Sequence, residues 1–181
     1  MRAGNVQSLM EAGDFSAASN ILANQLAALD AGNHAQNNTH TNDTDGATSL
    51  DTKRERIEAL YLSAVCARYQ DDFSRARGFI QNIFDIEPFL GRGFLEEAHI
   101  CRAEGKAREA LSNYQRASEA NPAILAAWRE QIKILDASDQ AAMAGYARSE
   151  LAYYESRYSG YLPYFVLRID AIGKSIPGAQ Y

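Results

Sequence analysis

Leu60, Phe94 and Trp128 lie 34 residues apart, and the same interval separates Ala76, Ala110 and Ala144 and joins Pro88 to Pro122. A large apolar residue, a small one and a proline recurring at one period constrain this chain more than any single motif. A unit of that length holds two helices of about 13 residues and a turn, and such a pair buries its apolar face only against a neighbour of the same kind. The candidate turns keep the interval, at Asp71-Asp72, Gly105-Lys106 and Asp139-Gln140. Gly or Asp at these places suits a helix end closed by a residue in the left-handed conformation. The pattern predicts an all-α chain with units over 57–90, 91–124 and 125–158.

The flanks are less regular. Val6, Leu9 and Met10, a Gly13-Asp14-Phe15 turn, and Ala18, Ile21, Leu22, Leu26 and Leu29 at helical spacing predict a degenerate helical hairpin over 1–30. Ala31 to Ser49 holds four Asn, four Thr, two Asp, two Gly and two His, with no apolar residue larger than Ala. Burial there does not offset the entropy of ordering, which predicts a flexible linker over 31–50. Helix is expected to resume near Asp51 or Thr52, with Thr52 and Glu55 at capping-box spacing. After Tyr153, Tyr154 and Tyr158, the spacing from Leu162 to Ile172 predicts an amphipathic helix, so 159–181 reads as a capping helix and tail. It equally fits the first helix of a further unit with Gly173 as its turn. Left uncovered, Phe165, Leu167 and the tyrosines would favour dimerisation through this C-terminal helix.

Charge and composition exclude several classes. The net charge of −5 falls mostly on residues 1–50, leaving 17 basic and 18 acidic residues over 51–181. That balance carries no basic footprint for nucleic acid. No stretch reaches the roughly 18 apolar residues of a membrane span, and Met1 to Gly13 lacks the apolar core of an export signal. The expectation is a cytoplasmic protein whose two cysteines, Cys66 and Cys101, are unbridged small hydrophobes.

Fragments of chemical motifs fail on inspection. Gly173-Lys174-Ser175 ends like a phosphate-binding loop, but Arg168 stands where the first glycine belongs. Asp43-Thr44-Asp45-Gly46 resembles the middle of a calcium loop, yet Thr41 and Thr52 occupy its two anchoring positions. His34 and His40 lie near Asp43 and Asp45 without helical ligand spacing. Asn37 and Asn42 begin glycosylation-type triplets that mean little without export. With no recognisable nucleophile arrangement, the chain is expected to be non-catalytic, with no cofactor and no metal.

Gly105-Lys106-Ala107-Arg108-Glu109-Ala110, with Tyr114, Ala117 and Ala120-Asn121-Pro122, resembles the second half of a tetratricopeptide repeat. Leu60, Phe94 and Trp128 resemble that family's large first-helix residue, and Ala76, Ala110 and Ala144 its small residue where paired helices cross. The resemblance implies a right-handed superhelical array of antiparallel helix pairs, a solenoid. It covers 57–158 well and 5–30 weakly. The pattern departs at Ser63, Glu97, Gln131 and Ile132, and at Ser156 in place of a third proline. The segment from Glu97 to Gly105 also resembles the repeats that precede the catalytic domain of bacterial tetratricopeptide-repeat sulfotransferases. That kinship implies a second reading, the repeat region of a transferase without its catalytic domain.

The family resemblance implies a scaffold that holds a protein or peptide in a concave groove lined by first helices. By the 34-residue register the groove positions are Glu58, Tyr61, Val65, Arg68 and Tyr69, then Arg92, Leu95, His99 and Arg102, then Arg129, Lys133 and Asp136. Of these, Tyr61, Arg68, Tyr69, Arg92, His99, Arg102, Arg129 and Lys133 are the candidate partner-binding residues. Their basic and aromatic balance suits an acidic or carboxylate-terminated segment. The alternative is a set of solvated helix faces, since Arg68 and Arg102 in last turns are favoured by the helix dipole alone. Tyr61 and Val65 occupy the places of the Lys and Asn of the chaperone-binding carboxylate clamp, which argues against chaperone tails.

Overall fold

In the computed structural model the described residues are 3–36 and 45–158, and every element among them is helical. The elements are α1 (Ala3–Glu11), α2 (Phe15–Gln36), α3 (Asp45–Tyr69), α4 (Phe73–Ile86), α5 (Gly91–Ala103), α6 (Ala107–Ala120), α7 (Leu125–Ala137) and α8 (Ala141–Tyr158). They fall into two compact units, Met1–Pro88 and Phe89–Tyr181. In the first, α2 packs on α1 and α3, and α3 on α4; in the second, α6 packs on α5 and α7, and α7 on α8. The expected helix over 162–172 lies outside the described residues.

Four helix pairs close through one turn geometry. Gly13, Asp71, Gly105 and Asp139 adopt φ of 79°, 58°, 77° and 56°. The next N–H in each case reaches five residues back, Asp14 to Leu9, Asp72 to Ala67, Lys106 to Cys101 and Gln140 to Leu135, at 2.8 to 3.0 Å. These bonds pair the last carbonyls of the first helix, which would otherwise be orphaned. Asp14 and Asp72 then cap the second helix, their Oδ1 atoms accepting from Ala17 N at 2.9 Å and Arg75 N at 3.1 Å. Five residues past each turn stands an alanine, and Ala18, Ala76, Ala110 and Ala144 are all 0% exposed.

Proline placement sets the length of the second helices. α4 and α6 stop two residues before Pro88 and Pro122, because proline cannot donate to the preceding turn and restricts the residue before it. At the corresponding place Ser156 imposes no such stop, and α8 runs on to Tyr158. A glycine is required at one helix start. A Cβ on Gly91 would lie 2.8 Å from Ile124 Cδ1 and 3.0 Å from the carbonyl oxygen of Ala117. Gly91→Val is therefore expected to cost about 1–3 kcal/mol, read as a lower midpoint in thermal melting.

Within the stretch from 31 to 50, read as a flexible linker, residues 31–36 and 45–50 are helical. α2 continues to Gln36 and α3 begins at Asp45, which leaves residues 37–44 outside the described set. Extending an anchored helix costs only about 0–0.7 kcal/mol per ordinary residue, so polar Ala-containing ends prolong helices started by apolar neighbours. Thr52 and Glu55 are consequently interior to α3 rather than its cap. Cys66 and Cys101 are both buried, one in each unit.

Candidate interaction surface

In the first unit, α3 is buried almost all round, from Ala59 to Tyr61 and from Ser63 to Ala67, because α2 and α4 both pack on it. Tyr61, expected on an open groove, is only 2% exposed, and Val65 is buried with it. Tyr69 remains at the edge, its ring stacked on Phe15 at 4.6 Å with the Arg68 guanidinium 4.4 Å from its centroid. Gln70 donates to Ser19 across the same α2–α3 seam at 3.3 Å. Tyr69 thus fastens α3 to α2, with the Arg68 guanidinium laid over its ring.

The second unit assembles the remaining candidates more closely. Arg102 in the last turn of α5 and Lys133 on α7 both reach Glu130, Lys133 Nζ donating to Oε1 at 2.6 Å. The Glu130 side chain is only 7% exposed, whereas those of Arg102 and Lys133 are 33% and 46% exposed. Arg129, on the same helix, donates to Glu155 of α8 at 2.9 Å, and both partners of that pair are well exposed. Burial, then the charges of Arg102 and Arg129, push the Lys133 ammonium below the ordinary lysine value. Three cations therefore meet on α5 and α7, with the carboxylates of Glu130 and Glu155 among them.

His99 is oriented by a specific partner. The Tyr114 hydroxyl lies 2.8 Å from its Nδ1, and the rings meet edge to face at 5.4 Å. Tyr114 is fully buried in α6, and its carbonyl also accepts from Gln131 at 3.1 Å. His99 and Gln131 together tie α5 and α7 to α6. Arg92 stands in the first turn of α5, half-buried, while Leu95 is buried in the same helix.

The carboxylates were the part that residue spacing did not expose. Glu130 sits one turn before Lys133, a spacing at which helical side chains pair, and that was the available signal. Glu155 is 26 residues from Arg129, and nothing in the sequence links them. Chemically the cluster can exchange acidic groups. An exposed ion pair such as Arg129–Glu155 contributes about 0.2–1 kcal/mol, so an incoming carboxylate can displace Glu155 and keep the guanidinium fork occupied. A lowered pKa also leaves more of the Lys133 amine unprotonated at mildly basic pH. Lys133 is expected to acylate faster at pH 8.5 than Lys53 and Lys106, whose side chains are similarly exposed at 44% and 52%, a ranking read by peptide mass spectrometry under limiting reagent.

Among the described residues, no group of three or more His, Cys, Asp or Glu side chains could hold a metal ion, and no helix is long and apolar enough to cross a membrane. No protein-family model matches the chain, and no curated protein matches it.

Proposed function

We propose that the protein is a non-catalytic interaction scaffold, built as an array of tetratricopeptide-like helix pairs, that takes an acidic or carboxylate-terminated segment of a protein partner on α5 and α7. The array reading is supported by the turns at Asp71, Gly105 and Asp139, which share one hydrogen-bond pattern at 34-residue spacing. The observation that carries the binding reading is the convergence of Arg102, Arg129 and Lys133 on two first helices. Glu130 holds two of these cations from a buried position and keeps them in place before a ligand arrives. Glu155, outside, is the carboxylate a ligand would replace.

An immobilised array of acidic peptides with free C-termini tests this reading. The full chain is expected to bind members of the array and to lose them in the Arg102→Ala/Arg129→Ala variant, with its helical melting intact. Equal capture of acidic and neutral sequences by both proteins would refute the reading.

A further inference from the structure

We infer that Lys133 is a modification site, acylated without an enzyme by acyl phosphates whose phosphate group is held by the Arg102 and Arg129 guanidiniums. Such acylation is independent of peptide binding, because its reactant is a small anion and its product a changed side chain.

Three requirements of the reaction meet on α5 and α7. The first is an accessible amine, and the Lys133 side chain is 46% exposed. Burial, then the charges of Arg102 and Arg129, hold its ammonium below the ordinary lysine value, so more of it is the neutral, nucleophilic amine. The second is a cradle for the leaving group. Arg102 shares the Glu130 carboxylate with Lys133, which brings its guanidinium beside the amine. Arg129 lies four residues before Lys133 on the same helix, a spacing at which side chains are neighbours. Guanidiniums grip phosphate oxygens through paired N–H donors, and Arg129 can do so by exchanging the exposed Glu155. The third is a proton acceptor. Glu130 Oε1 is 2.6 Å from Lys133 Nζ, on a side chain only 7% exposed.

In the step itself, the Nζ lone pair adds to the acyl carbon and forms an amide. The bond from that carbon to the phosphate oxygen breaks, and inorganic phosphate leaves with its electron pair. The proton shed by the nitrogen passes to Glu130 Oε1 and from there to water. Holding the donor by its phosphate next to the amine gives the encounter an intramolecular advantage.

The cluster also tolerates the product. Lys133 loses its charge, but Glu130 keeps Arg102 as a partner, so its buried carboxylate is not left alone. Three cations facing Glu130 and Glu155 become two, and the repulsion of Lys133 by Arg102 and Arg129 is relieved. One turn further along α7, Asp136 forms a balanced pair with Arg148 of α8 at 2.6 Å.

Acetyl phosphate and a neutral ester, N-acetoxysuccinimide, applied separately to the full chain test the assignment, with acetylated peptides quantified by mass spectrometry. Lys53 and Lys106 are internal controls, since each is similarly exposed and lies beside a carboxylate, Glu87 or Glu104. The lead of Lys133 over both controls is expected to be roughly tenfold larger with acetyl phosphate than with the ester. Added inorganic phosphate should shrink that lead in the unaltered chain. Arg129→Gln should remove most of it while changing the ester reaction much less. The same lead with both reagents, or a lead indifferent to inorganic phosphate, would overturn the inference. A lead that survives Arg129→Gln would overturn the placement of the phosphate on the guanidiniums.

Discussion

Trp128→Ala is expected to lower stability by about 3–5 kcal/mol, the largest loss from any substitution considered. Trp128 is 7% exposed and forms a core with Leu135, Ala144 and Ala147, against which Leu111, Ile132, Leu151 and Tyr154 also pack. Its ring stacks on Tyr154 at 6.2 Å and meets the edge of Tyr146 at 6.5 Å. Its Nε1 donates to Pro122 O at 3.1 Å, tying the connection before α7 to the helix it precedes. Truncation would remove a large buried apolar surface, leave a cavity that three helices cannot all close, and strip a carbonyl of its donor. Trp128→Phe keeps most of the packing and loses the hydrogen bond, so it is expected to cost about 1–2 kcal/mol. Chemical denaturation with far-ultraviolet circular dichroism measures both. A loss for Trp128→Ala below that of Trp128→Phe would show that the packing face is misassigned.

Glu130→Ala is the second large effect, expected at about 2–3 kcal/mol. Removing the acidic partner of a fully buried ion pair costs about 3–5 kcal/mol, but Arg102 and Lys133 are one-third to one-half exposed, and water screens part of the repulsion left behind. The cost comes from leaving Arg102 and Lys133 facing each other with Arg129 near. Adding Lys133→Met to Glu130→Ala should therefore return part of the loss, a coupling of about 0.5–2 kcal/mol in a double-mutant cycle. Additive losses would mean that Glu130 stabilises by packing alone. Because Glu130 holds the cations in place, its removal should also weaken acidic-peptide binding despite making the surface more positive.

Much of the fold was legible because local chemistry and the period agree. Left-handed turns at Asp71, Gly105 and Asp139 followed from residue type and spacing, and Pro88 and Pro122 mark the ends of α4 and α6. The extent of α2 and α3 was not legible, since composition reports what cannot pack and says little about where an anchored helix stops. The exposure of Tyr61 was misread for a related reason. Mapping groove positions by the 34-residue register assumes that every first helix keeps an open face, whereas α3 is enclosed by α2 and α4. Gln131, a departure from the family pattern, proved to be a buried link to Tyr114 and Ser118. The cationic half of the candidate site was readable from register; its carboxylates lay on neighbouring turns and helices where register carries no information.

The central claim is tested most directly by titrating a fluorescent glutamate-rich peptide with a free C-terminus into the full chain at two salt concentrations. The account predicts saturable binding that weakens as salt rises and falls roughly tenfold or more, about 1.4 kcal/mol, in Arg102→Ala/Arg129→Ala while thermal melting is retained. Affinity that is the same in the variant, or binding indifferent to salt, would contradict it.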